Sequence, residues 1–467
     1  MDWPKEKPGQ CGHTGTGPEA TDASNVTRKF STVDLSEDQR HAMHELLEFD
    51  ANATPVHALS GPAGSGKTTL VGEFVRRCTR NVEATATTNK AARVAAQMTG
   101  TEPKTIHSLL GLQPRNDDHL GRATLKQVRE PEIEPGTLVI VDECSMIDSE
   151  LLLKIKQHAC ALRFKVLFVG DAYQLPPVHE SQSPVFAGVP TSHLTTIHRQ
   201  ALDNPVLAFA NEFRATLDGA GMPRVRPMGH QVVTLDPDAF VGRMLDVFAW
   251  SAGRHSVKAL AYTNERVHEL NQVIRRHLIG PEADERAHLP GERFIANTAI
   301  KVGERLVVPT EGEVVIVSSE PAWFQVGEVI FAGENVKVRY LGEVLDLHVP
   351  TDWPRAHQAL RVVAQTANGL QRRYRAGEYQ VDAERRAAWR TFFAAKEWLH
   401  DLRPVHASTV HKSQGSTYQH AFIDAGDIGR CTRADVLARL MYVAVSRAAH
   451  TVTLTGLLPD RLYGVAA

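Results

Sequence analysis

The chain has 467 residues, a net charge of -2, 42% hydrophobic residues and 23% charged ones. That length is too great for one hydrophobic core and fits about two to four domains, and the composition excludes a fibrous or low-complexity chain. Near-zero charge means that any basic surface for a nucleic acid must be local, while five scattered cysteines without a C-x-x-C pair exclude a zinc ribbon or a disulfide framework and suit a reducing, cytoplasmic setting.

Residues 1 to 30 hold Pro4, Pro8, Pro18 and four glycines with few apolar residues, and are expected to be a disordered tail. Cys11 and His13 lie close there, but two ligands do not make a metal site. No apolar run approaches the ~18 residues of a membrane helix, and no signal peptide opens the chain. Order is expected near Leu35, with a helix opened by Ser36-Glu37-Asp38-Gln39 and carrying Met43, Leu46 and Leu47 on one face. Gln39 has two roles open to it. It completes an S-x-x-Q capping box with Ser36, and its amide also suits the edge of adenine. Spacing alone favours the cap.

Residues 61 to 69, Gly-Pro-Ala-Gly-Ser-Gly-Lys-Thr-Thr, match G-x-x-x-x-G-K-[ST], the phosphate-binding loop of ATP- and GTP-driven enzymes. Gly61, Gly64 and Gly66 let the backbone turn its N–H groups onto phosphate oxygens, with Ser65 and Thr69 in the same cradle. Lys67 reaches the β- and γ-phosphates in such a loop, and Thr68 offers its hydroxyl to Mg²⁺. An apolar run before the loop and an amphipathic stretch (Leu70, Val71, Phe74, Val75) after it give strand, loop and helix, with the helix N-terminus aimed at the anion.

Val82 to Ala86 reads as a strand, followed by Thr87-Thr88-Asn89-Lys90 and a helix from Ala91. Residues 111 to 136 are polar and Pro-rich, an excursion with a hairpin around Asn116 to Gly121. Thr137 to Val141 and Val166 to Val169 are continuous apolar runs, as parallel strands buried on both faces require. They end in Asp142-Glu143 and Gly170-Asp171, and polar groups at the carboxyl ends of parallel strands are where α/β sheets bind ligands. Asp142 and Glu143 then suit the metal's water shell and the base on an attacking water, and Gln174 suits the γ-phosphate. Strand–helix alternation to residue 194 predicts a doubly wound domain.

A second α/β set is expected at Ala259 to Tyr262, Ala421 to Ile423 and Val452 to Leu454. Between about 275 and 402, short β-rich runs (306–308, 314–317, 326–331, 336–340, 344–349) predict an inserted barrel or sandwich. A helix from about 382 to 402 closes it, with Trp389, Phe392, Phe393 and Trp398 packed as core. Arg199 and Arg447 stand in polar stretches from which an arginine could reach transition-state charge, and neither is decisive alone. No H-E-x-x-H or Cys/His cluster supports metal ligation by the 22 histidines.

The motifs fall in one order: Gln39; the loop at 61 to 69; Thr87-Thr88-Asn89-Lys90-Ala91-Ala92; Thr105-Ile106-His107-Ser108; Asp142-Glu143-Cys144-Ser145; and Gly170-Asp171-Ala172-Tyr173-Gln174-Leu175-Pro176-Pro177. His198-Arg199-Gln200, Thr263-Asn264, Thr409 to Gly415 and Tyr442 to Arg447 follow. This series resembles the superfamily-one DNA helicases of the RecD-like, 5′-to-3′ branch, over essentially everything after residue 35. The resemblance implies two RecA-like domains, 31–194 with a pin at about 111–136 and 195–467 with the β-rich insertion, and ATP with Mg²⁺ in the cleft between them. It implies Gln39 on adenine; Lys67, Thr68, Asp142, Glu143 and Gln174 from the first domain; and Arg199, Gln414, Gly415 and Arg447 from the second. Thr87, Asn89, His107, Thr409 and His411 match positions that line the family's single-strand channel. Thr87 stands where many relatives have proline, and the pin holds no Phe, Tyr or Trp, leaving His119, Leu120 or Leu125 as the wedge. The implied partners are single-stranded and forked duplex DNA, with single-strand-binding or replication proteins beside them. A monomer in a bacterial or phage-infected cytoplasm is expected. A translocase that strips proteins but unwinds weakly, and a P-loop ATPase acting on RNA or protein, are the alternatives.

Overall fold

The computed structural model describes residues 34–99, 102–117, 122–177, 180–197, 203–251, 256–303 and 305–463. The expected tail at 1 to 30, the candidate wedge residues His119 and Leu120, and Arg199 lie outside the described residues.

The helix expected after Leu35 is α1, Glu37–Ala51, which buries Ala42, Met43, Leu46 and Phe49. Strand β1 (Val56–Ser60) leads into the loop and then α2 (Lys67–Arg77). Strands β2 (Val82–Ala86) and β3 (Lys104–Thr105) flank α3 (Asn89–Thr99). An antiparallel hairpin, β4 (Leu112–Asp117) with β5 (Arg122–Gln127), occupies the predicted excursion. The chain then returns through β6 (Leu138–Asp142), β7 (Lys165–Gly170) and β8 (Thr191–His193). The sheet is parallel throughout in the order β3-β2-β6-β7-β1-β8. All six residues of β7 are buried, which is why that stretch reads as one apolar run.

The second sheet, also parallel, has the order β18-β10-β19-β20-β9. Strands β9 (Val232–Leu235) and β10 (Val257–Ala261) precede the insertion. Into it the chain inserts β11 (Arg293–Ala296), β12 (Ile300–Val302), β13 (Arg305–Val308), β14 (Glu313–Val326), β15 (Val329–Tyr340), β16 (Glu343–Pro350) and β17 (Leu402–Pro404). Strands β18 (Ala407–Thr409), β19 (Tyr418–Asp424) and β20 (Ala448–Thr455) complete the second sheet. The core of this half gathers Leu260, Ile423, Val452 and Leu454 from the strands with Leu440, Met441 and Tyr442 from helix Ala434–Ser446.

The insertion departs from the reading in two ways. Residues 326 to 331 are not a strand of their own: Gly327, at φ 61, turns β14 into β15, so two long strands replace several short ones. A helix at Trp353–Arg375 was not foreseen. It packs beside helix Asp382–Trp398, around Ala367, Trp389 and Phe393. Trp389 and Phe393 are core as predicted, whereas Trp398 is 37% exposed and sits against Phe324 and His348. The five-stranded antiparallel sheet β16-β15-β14-β11-β17 curls until His348 of β16 bridges Leu399, just ahead of β17.

Two contacts fix the insertion on its neighbours. Lys412 donates to Glu311 at 2.8 Å and also to Asn297. Lys301, on the β12–β13 ribbon, donates to the Pro114 carbonyl of the hairpin at 3.4 Å.

Candidate active site

The phosphate loop lies at the carboxyl end of β1, between β7 and β8, and Gly66 makes the turn into α2 at φ 76, a left-handed conformation that favours glycine. Lys67 Nζ donates to the Gly61 and Pro62 carbonyls at 2.6 and 2.9 Å, so the ammonium is held over its own loop. Ser65 is buried, its hydroxyl donating to Pro62 at 2.9 Å, whereas Thr68 and Thr69 are exposed at the start of α2.

Gln39 fills the capping role that its spacing favoured, and its amide nitrogen reaches the phosphate loop. Its Oε1 accepts from Ser36 N at 3.0 Å, closing the cap, and its Nε2 donates to the Ser65 carbonyl inside the loop at 3.3 Å. The side chain is 3% exposed and ties the start of α1 to the phosphate loop. Beside it, Asp38 accepts from Thr195 N and Thr196 N at 3.1 and 2.9 Å. Burial pushes that carboxyl up, but bonds from Ser36, Thr196 and Thr195 outweigh it and hold the pKa below its ordinary value.

Asp142 and Glu143 end β6 as expected. Burial first, and then the Glu143 charge beside it, push Asp142 up to about 6, although the Glu143 N–H and the charge of Lys67 pull the other way. Glu143 N donates to Asp142 Oδ1 at 2.8 Å. Glu143 itself sits at φ 51, a left-handed conformation unusual for a residue with a side chain and of the kind that gathers at functional sites. Thr68 and Asp142 line one small cavity between α2 and the strands β2, β6 and β7.

The second half of the chain meets these groups directly. Arg447, 7% exposed, brings Nη1 to 3.8 Å from Glu143 Oε1. Gln414 Nε2 donates to the Leu175 carbonyl at 3.2 Å. Gly415, at φ 70, passes so close to α3 that a Cβ there would stand 3.3 Å from Ala91 Cβ and from Thr88 Oγ1. Two residues with no assigned role join them. Arg439 Nη1 donates to the carbonyls of Ala172 and Gln174 at 2.7 and 2.9 Å. The Tyr442 hydroxyl accepts from Ala63 N of the phosphate loop at 2.8 Å and donates to Asp171. Arg439 and Tyr442 lie three apart on the helix that ends at Arg447. That spacing was legible, but its partners were not.

Gln174 Oε1, Arg447 Nε and Ser145 Oγ are buried without a hydrogen-bond partner. Leaving such atoms unpaired is costly, and two of them, on Gln174 and Arg447, belong to the predicted γ-phosphate contacts. The Arg447 Nε donor fits an anionic oxygen, whereas the Gln174 Oε1 acceptor fits a donor such as a water. Among the described residues no group of three His, Cys, Asp or Glu could hold a metal ion. A Thr–Asp pair at a phosphate loop instead suits Mg²⁺, which takes only one or two protein oxygens and completes its shell with phosphate and water.

The expected channel residues are more dispersed. Asn89 is exposed and His107 and His411 are half-buried, burial lowering both histidine pKa values. Thr87 turns its hydroxyl to the Glu143 carbonyl at 3.3 Å, toward the acid pair and not outward. Thr409 is 8% exposed and its Oγ1 accepts from Lys412 N at 3.4 Å. Thr87 is half-buried and Thr409 buried, and each hydroxyl is bonded to backbone. Leu125 is no free wedge either: it packs against the core cluster that includes Leu112, Leu151 and Ile155.

An AAA domain model matches residues 34–220, and a UvrD-like helicase C-terminal domain model matches 404–455. The ATP-dependent DNA helicase Dda of Enterobacteria phage T4 is 24% identical over 462 aligned positions, covering 90% of this chain and 98% of that one. The ATP-dependent RecD2 DNA helicase of Deinococcus radiodurans is 34% identical over 183, covering 38% of this chain and 23% of its own. A solved structure of Pif1 helicases at forked double-stranded DNA aligns with a TM-score of 0.48 and 16% identity, over 92% of this chain and 94% of that one. No helix among the described residues is long and apolar enough to cross a membrane. The ordered motifs, the two matching domain models and the similarity to Dda along nearly its whole length make the chain similar to ATP-dependent DNA helicases.

Proposed function

We propose that the chain is an ATP-dependent DNA helicase that moves 5′ to 3′ along single-stranded DNA and separates duplex ahead of it. The observation that carries this reading is the meeting of Arg447 with Glu143 at the mouth of the phosphate loop, one group from each sheet. An arginine brought in from a second domain stabilises transition-state charge, an effect worth ~10³–10⁵ in rate. Here it does so only while the two halves are together. ATP then favours the closed cleft, loss of the γ-phosphate frees it, and alternating grip on one strand becomes stepping.

The residues divide the work. Lys67 and the loop N–H groups bind phosphate, and Gln39 positions the loop and faces the base. Glu143 takes a proton from the attacking water, which Gln174 orients. Thr68 and Asp142 would hold Mg²⁺, which when bound neutralises charge on the phosphates. Arg199 joins Arg447 by the resemblance. Thr87, Asn89, His107, Thr409 and His411 contact the strand without reading sequence. The enzyme acts as a monomer in replication, recombination or repair beside single-strand-binding proteins, in a bacterial or phage-infected cytoplasm.

The absence of any Phe, Tyr or Trp from residues 111 to 136 favours a second reading, a translocase that displaces proteins and unwinds weakly. ATP hydrolysis measured with and without single-stranded DNA tests what the two readings share. Strong stimulation is expected, and hydrolysis indifferent to DNA would point to a P-loop ATPase acting on another substrate.

A further inference from the structure

Helix Ala434–Ser446 carries more than the arginine at its end. Tyr442 is fully buried, yet its hydroxyl is not an idle core group. It accepts from the Ala63 N–H in the phosphate loop at 2.8 Å and donates to the carboxylate of Asp171, which is 1% exposed. Asp171 Oδ1 in turn accepts from Tyr173 N at 2.9 Å, shaping the turn that holds Gln174. One helical turn back, Arg439 grips the Ala172 and Gln174 carbonyls of the same turn. The phosphate loop and the Gln174 turn belong to the first half of the chain, and one rigid helix of the second half holds both.

We propose that Tyr442 is a positioning residue, the latch through which closure of the second lobe sets the phosphate loop and the Gln174 turn in register with Arg447. This rests on the ATPase reading of the cleft and deepens it. Opening the cleft must break the Tyr442 bonds together with those of Arg439 and Gln414, so the three act as one switch. The Ala63 N–H makes the phosphate loop part of it, because a loop N–H engaged by Tyr442 is fixed in direction while its neighbours turn to phosphate. Burial and the adjacent Asp171 charge raise the tyrosine pKa well above its ordinary value, so the hydroxyl keeps its proton and stays a donor. Hydrogen bonds to a buried carboxylate are the stronger kind.

The test is steady-state ATP hydrolysis by the full chain with saturating single-stranded DNA, for wild type, Tyr442→Phe, Asp171→Ala and the double variant. Tyr442→Phe is expected to lower kcat by roughly tenfold or more, the loss expected for one bond to a charged group, with KM for ATP changed by less than about threefold. Asp171→Ala, which also frees Tyr173 N, should lower kcat at least as far, and the double variant should lose clearly less than the product of the two single losses, since the two share the Tyr442–Asp171 bond. Tyr442→Phe leaves Asp171 buried with one partner fewer. Tyr442→Phe/Asp171→Asn removes that charge, and it separates misfolding from lost positioning by thermal melting. Unchanged kcat in Tyr442→Phe, or fully additive losses, would overturn the latch while leaving the ATPase reading intact. A wild type that DNA does not stimulate would instead sink that reading.

Discussion

Arg447 Nη1 and Glu143 Oε1 stand 3.8 Å apart, joining the end of one parallel sheet's helix to the end of the other sheet's strand. That separation places the Arg447 guanidinium beside the acid pair, where it is proposed to meet charge that develops in the transition state. Arg447→Ala is therefore predicted to lower kcat for ATP hydrolysis by ~10³-fold or more. KM for ATP should change far less, because the interaction strengthens in the transition state. Matching losses in affinity and turnover would contradict a transition-state role.

Lys67 Nζ donates to two carbonyls of its own loop. Lys67→Ala is expected to abolish hydrolysis while single-stranded DNA binding, followed by fluorescence anisotropy, stays within about threefold of wild type. Retained turnover would show that the loop is not catalytic.

Gln39 divides its amide between a cap and the loop, and Gln39→Glu separates the two. A glutamate keeps the acceptor for Ser36 N and completes the capping box as glutamine does, but it sets a buried carboxylate oxygen against the Ser65 carbonyl, so the melting temperature should fall. It loses the donor to Ser65 and to adenine, so KM for ATP should rise by roughly tenfold, the lower range for a bidentate contact to adenine. An unchanged KM would leave Gln39 as a cap alone.

Much of the fold was legible because its strands are buried on both faces. Thr137 to Val141 and Val166 to Val169 read as continuous runs for that reason. Strands β9 and β18 escaped because they are four and three residues long, with hydroxyl residues in each. Helix Trp353–Arg375 escaped because its buried face is chiefly Ala356, Ala359 and Ala367, small residues that leave little periodicity. The phosphate loop and acid pair were legible from local spacing. Tyr442 and Arg439 were not, since their partners Ala63, Asp171, Ala172 and Gln174 are brought near only by the packing of one half on the other. For the same reason Thr87, placed in the channel by its motif, turned out to face Glu143.

Lys258 is fully buried in β10, donating to the Val405 carbonyl at 2.6 Å. Burial, with the charge of Lys90 adding to it, lowers its pKa to about 7 from 10.5, against the pull of Glu311 and Glu313. The folded state thus binds fewer protons than the unfolded state between those two values, so this group makes stability rise as pH climbs through that window. Lys258→Met should remove that rise. Thermal melts at pH 7 and pH 9 should show wild type gaining on the variant, with the variant more stable by roughly 1–3 kcal/mol at pH 7, where an apolar side chain replaces a buried charge. Parallel pH curves would contradict the depressed pKa.

Strand displacement from a duplex bearing a 5′ single-stranded tail, compared with the same duplex bearing a 3′ tail, tests most directly whether cleft closure drives directed movement. With ATP and Mg²⁺, the 5′-tailed duplex should be separated and the 3′-tailed one left intact, and Lys67→Ala should separate neither. Displacement of the 3′-tailed duplex alone, or of neither by an enzyme whose ATP hydrolysis DNA stimulates, would contradict a 5′-to-3′ helicase.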